Sequence, residues 1–139
     1  MTSPDLKDYP ILYLEDDPAS RKVMKVTLER GAGIVNYAIF DNSLDFMERL
    51  KALAFTPVIF LIDIHVPPYD GFEILQMLRA APEYRSATVI ALTASVMNEE
   101  VRKLRAAGFD GAVSKPIDHR TFPSLLKRIV AGESVWSIS

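Results

Sequence analysis

The sequence predicts an α/β chain built on a doubly wound, five-stranded parallel sheet with helices on both faces. Short β-type runs alternate with helical patterns five times between Tyr9 and Ala131, and repeated β–α alternation gives a parallel sheet covered on both sides. Val58-Ile59-Phe60-Leu61-Ile62 is apolar at every position, as a central strand buried on both faces requires. Each strand pattern also stops at a turn or polar signal that a helical pattern follows.

Taken in order, Ile11-Leu12-Tyr13-Leu14 is the first strand and ends at Glu15-Asp16-Asp17. Pro18 suits the first turn of a helix, where a missing N–H is no loss. Val23, Val26 and Leu28, with Met24, supply an apolar helical face before Gly31-Ala32-Gly33 interrupts it. A weaker strand is predicted over 34–38 and a helix over 43–52 with Leu44, Met47, Leu50 and Phe46 inward. The central strand ends at Asp63, and Pro67-Pro68 and Asp70-Gly71 form the loop before a helix marked by Phe72, Leu75 and Leu78. A fourth strand covers 88–93 and a fourth helix 99–107, closed by Gly108. Ala112-Val113-Ser114 is a short fifth strand before Lys115-Pro116. Thr121 stands as N-cap of a last helix, since Pro123 is tolerated only near a helix start. Residues 1–8 read as an N-terminal extension, 9–131 as the domain and 132–139 as a tail that includes Trp136.

Composition narrows the function. A chain of 139 residues with 49% hydrophobic content suits one domain with a real core. A net charge of −2 gives no polyphosphate-binding surface, which argues against direct nucleic-acid binding. With no cysteine, disulfides, thiolate catalysis and Cys-ligated metals are excluded. The longest apolar stretch, around 58–64 and interrupted by Asp63, is far short of the roughly 20 residues of a membrane span. The first residues lack a basic-then-apolar signal pattern, so a cytoplasmic protein without membrane contact is expected.

In open parallel sheets, ligands bind beyond the carboxyl ends of the strands. Here those ends carry Glu15, Asp16 and Asp17, then Asp63, Thr93 and Lys115. Clustered carboxylates repel unless a cation joins them. Oxygen-only ligands favour a hard ion such as Mg²⁺. A carboxylate is also a competent nucleophile towards phosphorus, and phosphoryl transfer asks the protein mainly for positioning and charge neutralisation. Asp63 as nucleophile, Asp16 on the metal, and Thr93 and Lys115 on phosphoryl oxygens form one consistent set. Taken singly, each has a plainer role: a strand-end turn, a helix cap for Asp17 or Thr93, a solvated lysine. Four strand ends in combination carry the argument.

Those residues fall in four ordered motifs: Leu14-Glu15-Asp16-Asp17, then Asp63-Ile64-His65-Val66-Pro67-Pro68-Tyr69-Asp70-Gly71, then Ala91-Leu92-Thr93-Ala94, then Ser114-Lys115-Pro116-Ile117. In these the chain resembles the receiver domain of two-component response regulators, the CheY-like fold, over 9–131. Asp118 to Pro123 is more loosely similar to the last-helix start of small DivK-like regulators. The resemblance implies a phosphoacceptor signalling domain, not an enzyme acting on a separate substrate. Asp63 would take phosphate from a sensor histidine kinase or a histidine phosphotransfer protein. Asp16 would bind Mg²⁺ directly, Glu15 through water, Asp63 with them, and His65 through its backbone carbonyl. Asp17 would have a lesser role. Lys115 would pair with the phosphoryl group, and Pro116 stands where a cis peptide is cheap. A downstream protein target would read the result, and a phosphorylation-dependent dimer stays open.

Two departures stand out. Three residues before the lysine, where the family carries a switch aromatic, this chain has Ala112. Readout then falls to Thr93 and the loop Ser95-Val96-Met97, or is absent. His65 occupies the position two after the phosphoacceptor, either a modulator of phosphate lifetime or an exposed loop histidine. A pseudo-receiver that binds partners without phosphorylation is the rival reading, opposed by the intact acidic pair, Thr93 and Lys115. A haloacid-dehalogenase-type phosphatase needs a second Asp where His65 stands, and a flavodoxin-like binder needs a phosphate-cradling loop where this chain is acidic.

Overall fold

The computed structural model describes residues 5–95 and 97–137; Val96 of the readout loop, the first four residues and the last two lie outside them. A 3₁₀ turn at Leu6–Asp8 precedes β1 (Ile11–Leu14), α1 (Pro18–Val26) running into a π-helical turn at Thr27–Gly31, β2 (Tyr37–Phe40) and α2 (Phe46–Lys51). Then come β3 (Ile59–Asp63), α3 (Gly71–Ala80), β4 (Thr88–Thr93), α4 (Asn98–Ala107), β5 (Gly111–Ser114), α5 (Phe122–Val130) and β6 (Val135–Ser137). All strands are parallel, in the order β2-β1-β3-β4-β5-β6.

The doubly wound parallel architecture is the one the sequence predicts, but the sheet has six strands where five were expected. The segment read as a tail supplies β6, which pairs with β5 and completes the edge. Within the predicted N-terminal extension, Leu6 is buried in the core.

Successive strand residues point to opposite faces, and the core divides accordingly. Leu12, Leu14, Phe60, Ile62, Val89, Ala91 and Ala112 pack under α2, α3 and α4. Ile11, Tyr13, Ile59, Leu61, Ile90, Leu92 and Val113 pack under α1 and α5. β3 is buried at all five positions, as its unbroken apolar run requires.

Three local readings change. β2 begins three residues later than expected, because the chain first passes through the π-helical turn. On α1 the buried residue is Met24, while Val23 and Val26 are 44% and 54% exposed. Leu44 is exposed ahead of α2, and Phe46 and Leu50 are the buried anchors. Thr121 is the N-cap of α5 without a side-chain cap bond. Among the described residues, no helix is long and apolar enough to cross a membrane.

Candidate functional site

The carboxyl ends of β1, β3, β4 and β5 meet at one edge of the sheet. Asp17 caps α1, its carboxylate accepting from the Ser20 amide at 2.8 Å, so the chain turns sharply after β1 and leaves Glu15 and Asp16 at the turn. Asp70 and Glu73 form a capping box that starts α3. Gly71 lets that helix start sit hard against the loop after β3: a Cβ there would lie 2.8 Å from Ile64 Cδ1 and 3.0 Å from Ile64 Cα.

Glu15 is completely buried, Asp63 nearly so, and Asp16 is exposed. Carboxylate oxygens of these three lie within 4.8 Å of one another. Lys115 Nζ reaches in from the end of β5, 2.7 Å from Asp63 Oδ2 and 2.7 Å from Glu15 Oε1. The His65 amide donates to Asp63 Oδ1 at 3.0 Å, while its side chain is exposed. Thr93 is buried at the end of β4, and its hydroxyl accepts from the Ser95 amide at 3.0 Å. The peptide bonds before Pro116 and Pro68 are both cis.

The electrostatics follow from burial and this single ammonium group. Burial opposes ionisation of Asp63, but hydrogen bonds from the Glu15 carboxyl, Lys115 and the His65 amide hold its pKa below the usual range. Glu15 goes the other way: burial and the hydrogen bond it shares with Asp63 raise it, against the pull of Lys115. For Lys115, burial alone would favour the neutral amine, yet its bonds to Asp63 and Glu15 keep it protonated to higher pH than usual. Of the two carboxyls Glu15 is therefore the readier proton acceptor and Asp63 the poorer one.

The candidate ligand atoms are all carboxylate oxygens, two of them on buried residues with a third at the rim. That set fits a hard divalent cation. Three carboxyls gather there around the Lys115 ammonium, a second sign of the same fit.

Three contributors were not evident from the sequence. The Tyr13 hydroxyl donates to Glu15 Oε1 at 3.3 Å, and burial, followed by the charge of Glu15, drives its pKa far up. Arg21 donates to the Glu15 carbonyl at 3.1 Å. Ser43, fully buried in the loop after β2, accepts from the Tyr69 amide at 2.7 Å and lies 3.0 Å from the Val66 and Tyr69 carbonyls. It fixes the loop that follows Asp63. Tyr13 reads as one more apolar strand residue and Ser43 as the first residue of a helix, so neither carried a signal.

Fold and site together define a phosphoacceptor-type module with an acidic cluster suited to a divalent cation. Residues 11–127 match the family described as "Response regulator receiver domain", and the chain belongs to that family. It is 29% identical over 127 residues to the signal transduction histidine-protein kinase BarA of Shigella flexneri, covering 91% of this chain and 13% of that protein. It therefore spans only a small part of that relative. With chemotaxis protein CheY-3 of Vibrio cholerae it shares 28% identity over 123 residues, 88% of this chain and 92% of that one. Among solved structures, the receiver domain of a signal transduction histidine kinase from Syntrophus aciditrophicus superposes with a TM-score of 0.75 at 26% identity. That match covers 89% of this chain and 91% of the other.

Proposed function

We propose that Asp63 is the phosphoacceptor and that the chain relays a phosphoryl group received from a phosphohistidine, borne by a sensor histidine kinase or a histidine phosphotransfer protein. The observation that carries this reading is the position of Lys115 Nζ, 2.7 Å from carboxylate oxygens of both Asp63 and Glu15, in a cluster whose third acid, Asp16, is open to solvent. Glu15, Asp16 and Asp63, with the His65 backbone carbonyl, would hold Mg²⁺. When bound, that ion offsets charge on the carboxylates and on the incoming group.

The low pKa of Asp63 keeps it ionised and nucleophilic at neutral pH. One of its oxygens attacks phosphorus. A P–O bond forms as the donor's P–N bond breaks, and the departing imidazole keeps the electron pair and takes a proton. Lys115 already touches the attacked carboxylate and stays within reach of the new phosphoryl oxygens. Thr93 turns its hydroxyl from Ser95 to one of them. The added charge of about −1.5 to −2 is the signal.

The donor's docking place is supported by exposed apolar surface beside the site. Val23 of α1 lines a cleft of about 180 Å³ with Tyr13, Glu15, Met24, Lys115 and Ile117, and Val23 and Val26 together line a shallower one of about 300 Å³ with His119. An apolar helix face laid there would bring a phosphohistidine to Asp63. The changed surface would in turn be read by a downstream protein.

The test is incubation with acetyl phosphate and Mg²⁺ followed by intact mass measurement. The expected gain is about 80 Da, one phosphoryl group, absent in Asp63→Asn and after chelation of the metal. No gain, or a gain that survives Asp63→Asn, rejects the assignment.

A further inference from the structure

Trp136 is the single tryptophan of the chain and pairs in register with Ala112. One row of paired residues crosses the whole sheet at this level: Phe40, Leu14, Ile62, Ala91, Ala112, Trp136. Ala91 and Ala112 are both fully buried, two minimal side chains in adjacent strands, and the half-buried indole packs on the same cluster as they do. β5 is made to receive this strand. A Cβ on Gly111 would lie 2.2 Å from the Val135 carbonyl oxygen, so the close approach of β6 depends on glycine at that position. The indole is then pinned from two sides. The Arg105 guanidinium stacks 4.5 Å from its ring centre, a favourable cation–π contact, and Nε1–H donates to Ser134 Oγ at 2.8 Å.

Arg105 belongs to α4, the helix that enters directly after the Thr93 loop. Of the ten residues of α4 only Leu104 is buried, and its N-cap, Met97, makes no side-chain bond and is 68% exposed. Helices with so little buried surface are the first to move. The loop entering α4 is tied to the site through the Ser95 amide on the Thr93 hydroxyl, 3.0 Å. α4 is thus held near the site by Thr93 and near its far end by Trp136.

We infer that α4 relays the state of Thr93 to Trp136, so that the indole's cover reports the state of the site. This rests on the phosphoacceptor reading. When the Thr93 hydroxyl leaves Ser95 for a phosphoryl oxygen, the Ser95 amide loses its acceptor and the entry loop re-forms. α4, with only Leu104 buried, then shifts, and Arg105 leaves the indole. No aromatic on β5 is needed, because Trp136 stands beside Ala112 on the next strand.

A lone tryptophan makes the relay directly measurable. Fluorescence of Trp136 and acrylamide quenching are recorded with acetyl phosphate and Mg²⁺, and the phosphorylated fraction is taken from the intact mass of the same samples. Emission should move to the red and quenching should rise roughly two-fold as the indole loses its cover, in proportion to the phosphorylated fraction. Arg105→Gln, outside the site, should take up the phosphoryl group like the parent yet show the high quenching from the start, with no further rise. Thr93→Ala, compared at matched phosphorylated fraction, should show no rise. A mass gain with unchanged fluorescence overturns the relay and leaves the Asp63 reading standing. So does an Arg105→Gln protein that still responds like the parent, or a Thr93→Ala protein that responds at matched fraction. Absence of the mass gain overturns the phosphoacceptor reading itself, and the relay with it.

Discussion

Replacing Lys115 by Met removes the one ammonium group in the site while keeping an unbranched side chain of similar reach. The ammonium lies 2.7 Å from two carboxylates whose side chains are 0% and 8% exposed. Removing one partner of a buried ion pair costs about 3–5 kcal/mol, because the other charge stays buried without compensation. Two features put this case at the low end, about 3 kcal/mol: the lysine side chain is itself 23% exposed, and two facing carboxyls can share a proton. Asp63→Asn alone should cost less than about 1 kcal/mol, since it removes a negative charge and supplies an amide donor to Glu15. In that background Lys115→Met should cost about half as much as in the parent. The result is a coupling of about 1.5 kcal/mol, within the range for residues of one network. The assay is equilibrium urea unfolding of the four proteins near neutral pH without divalent cations, read from midpoints at common slope. The pH dependence has a definite sign. A carboxyl pair left without its lysine binds protons more tightly folded than unfolded, so the penalty of Lys115→Met should shrink as pH falls. Equal costs of Lys115→Met in both backgrounds, within about 0.5 kcal/mol, would show that the lysine does not compensate both acids.

Mg²⁺ should stabilise the protein by relieving the same repulsion: about 2.7 kcal/mol at a hundred times its dissociation constant, seen as a rise of several degrees in thermal midpoint that Asp16→Ala abolishes. In the metal-free protein the depressed pKa of Asp63 contributes stability that is present above its unfolded value and lost as pH falls through the folded one. The raised Lys115 contributes stability that is lost on the alkaline side, as pH rises through its folded pKa. Denaturant titrations across pH should find both limbs reduced in Lys115→Met. Ser43→Ala strips the Tyr69 amide of its acceptor and the carbonyl of buried Val66 of a donor, and should cost about 1–3 kcal/mol, with slower uptake of the phosphoryl group as the loop after Asp63 loosens. Gly111→Ala forces its Cβ to within 2.2 Å of the Val135 carbonyl. It should undock β6, costing about 1–3 kcal/mol and moving Trp136 emission to the red without phosphorylation.

The parts legible in the sequence are those written in local patterns. β1 and β4 are apolar runs with their observed bounds, and β3 differs from its predicted run by one residue at each end. The acids and lysine at strand ends gather because the parallel topology brings those ends to one edge. What stayed hidden depends on partners far away in sequence. β6 is three residues long and exists because Gly111 and Ala112 leave room for it across the sheet. The shift in β2 comes from a π-helical turn, which no apolar period announces. Val23 and Val26 sit at helical spacing yet are exposed, since Met24 and Leu28 already fill the space under α1. Ser43 is a buried latch whose partners stand 23 and 26 residues away.

The added strand also changes how this sheet ends. Had β5 been outermost, a four-residue row of backbone donors and acceptors would lie open to any extended chain. Instead the border is a three-residue strand, with a bulky indole capped by arginine on one face. Among the described residues so short a margin offers little template for further pairing, and crowded solutions of the protein should resist edge-to-edge stacking on that flank.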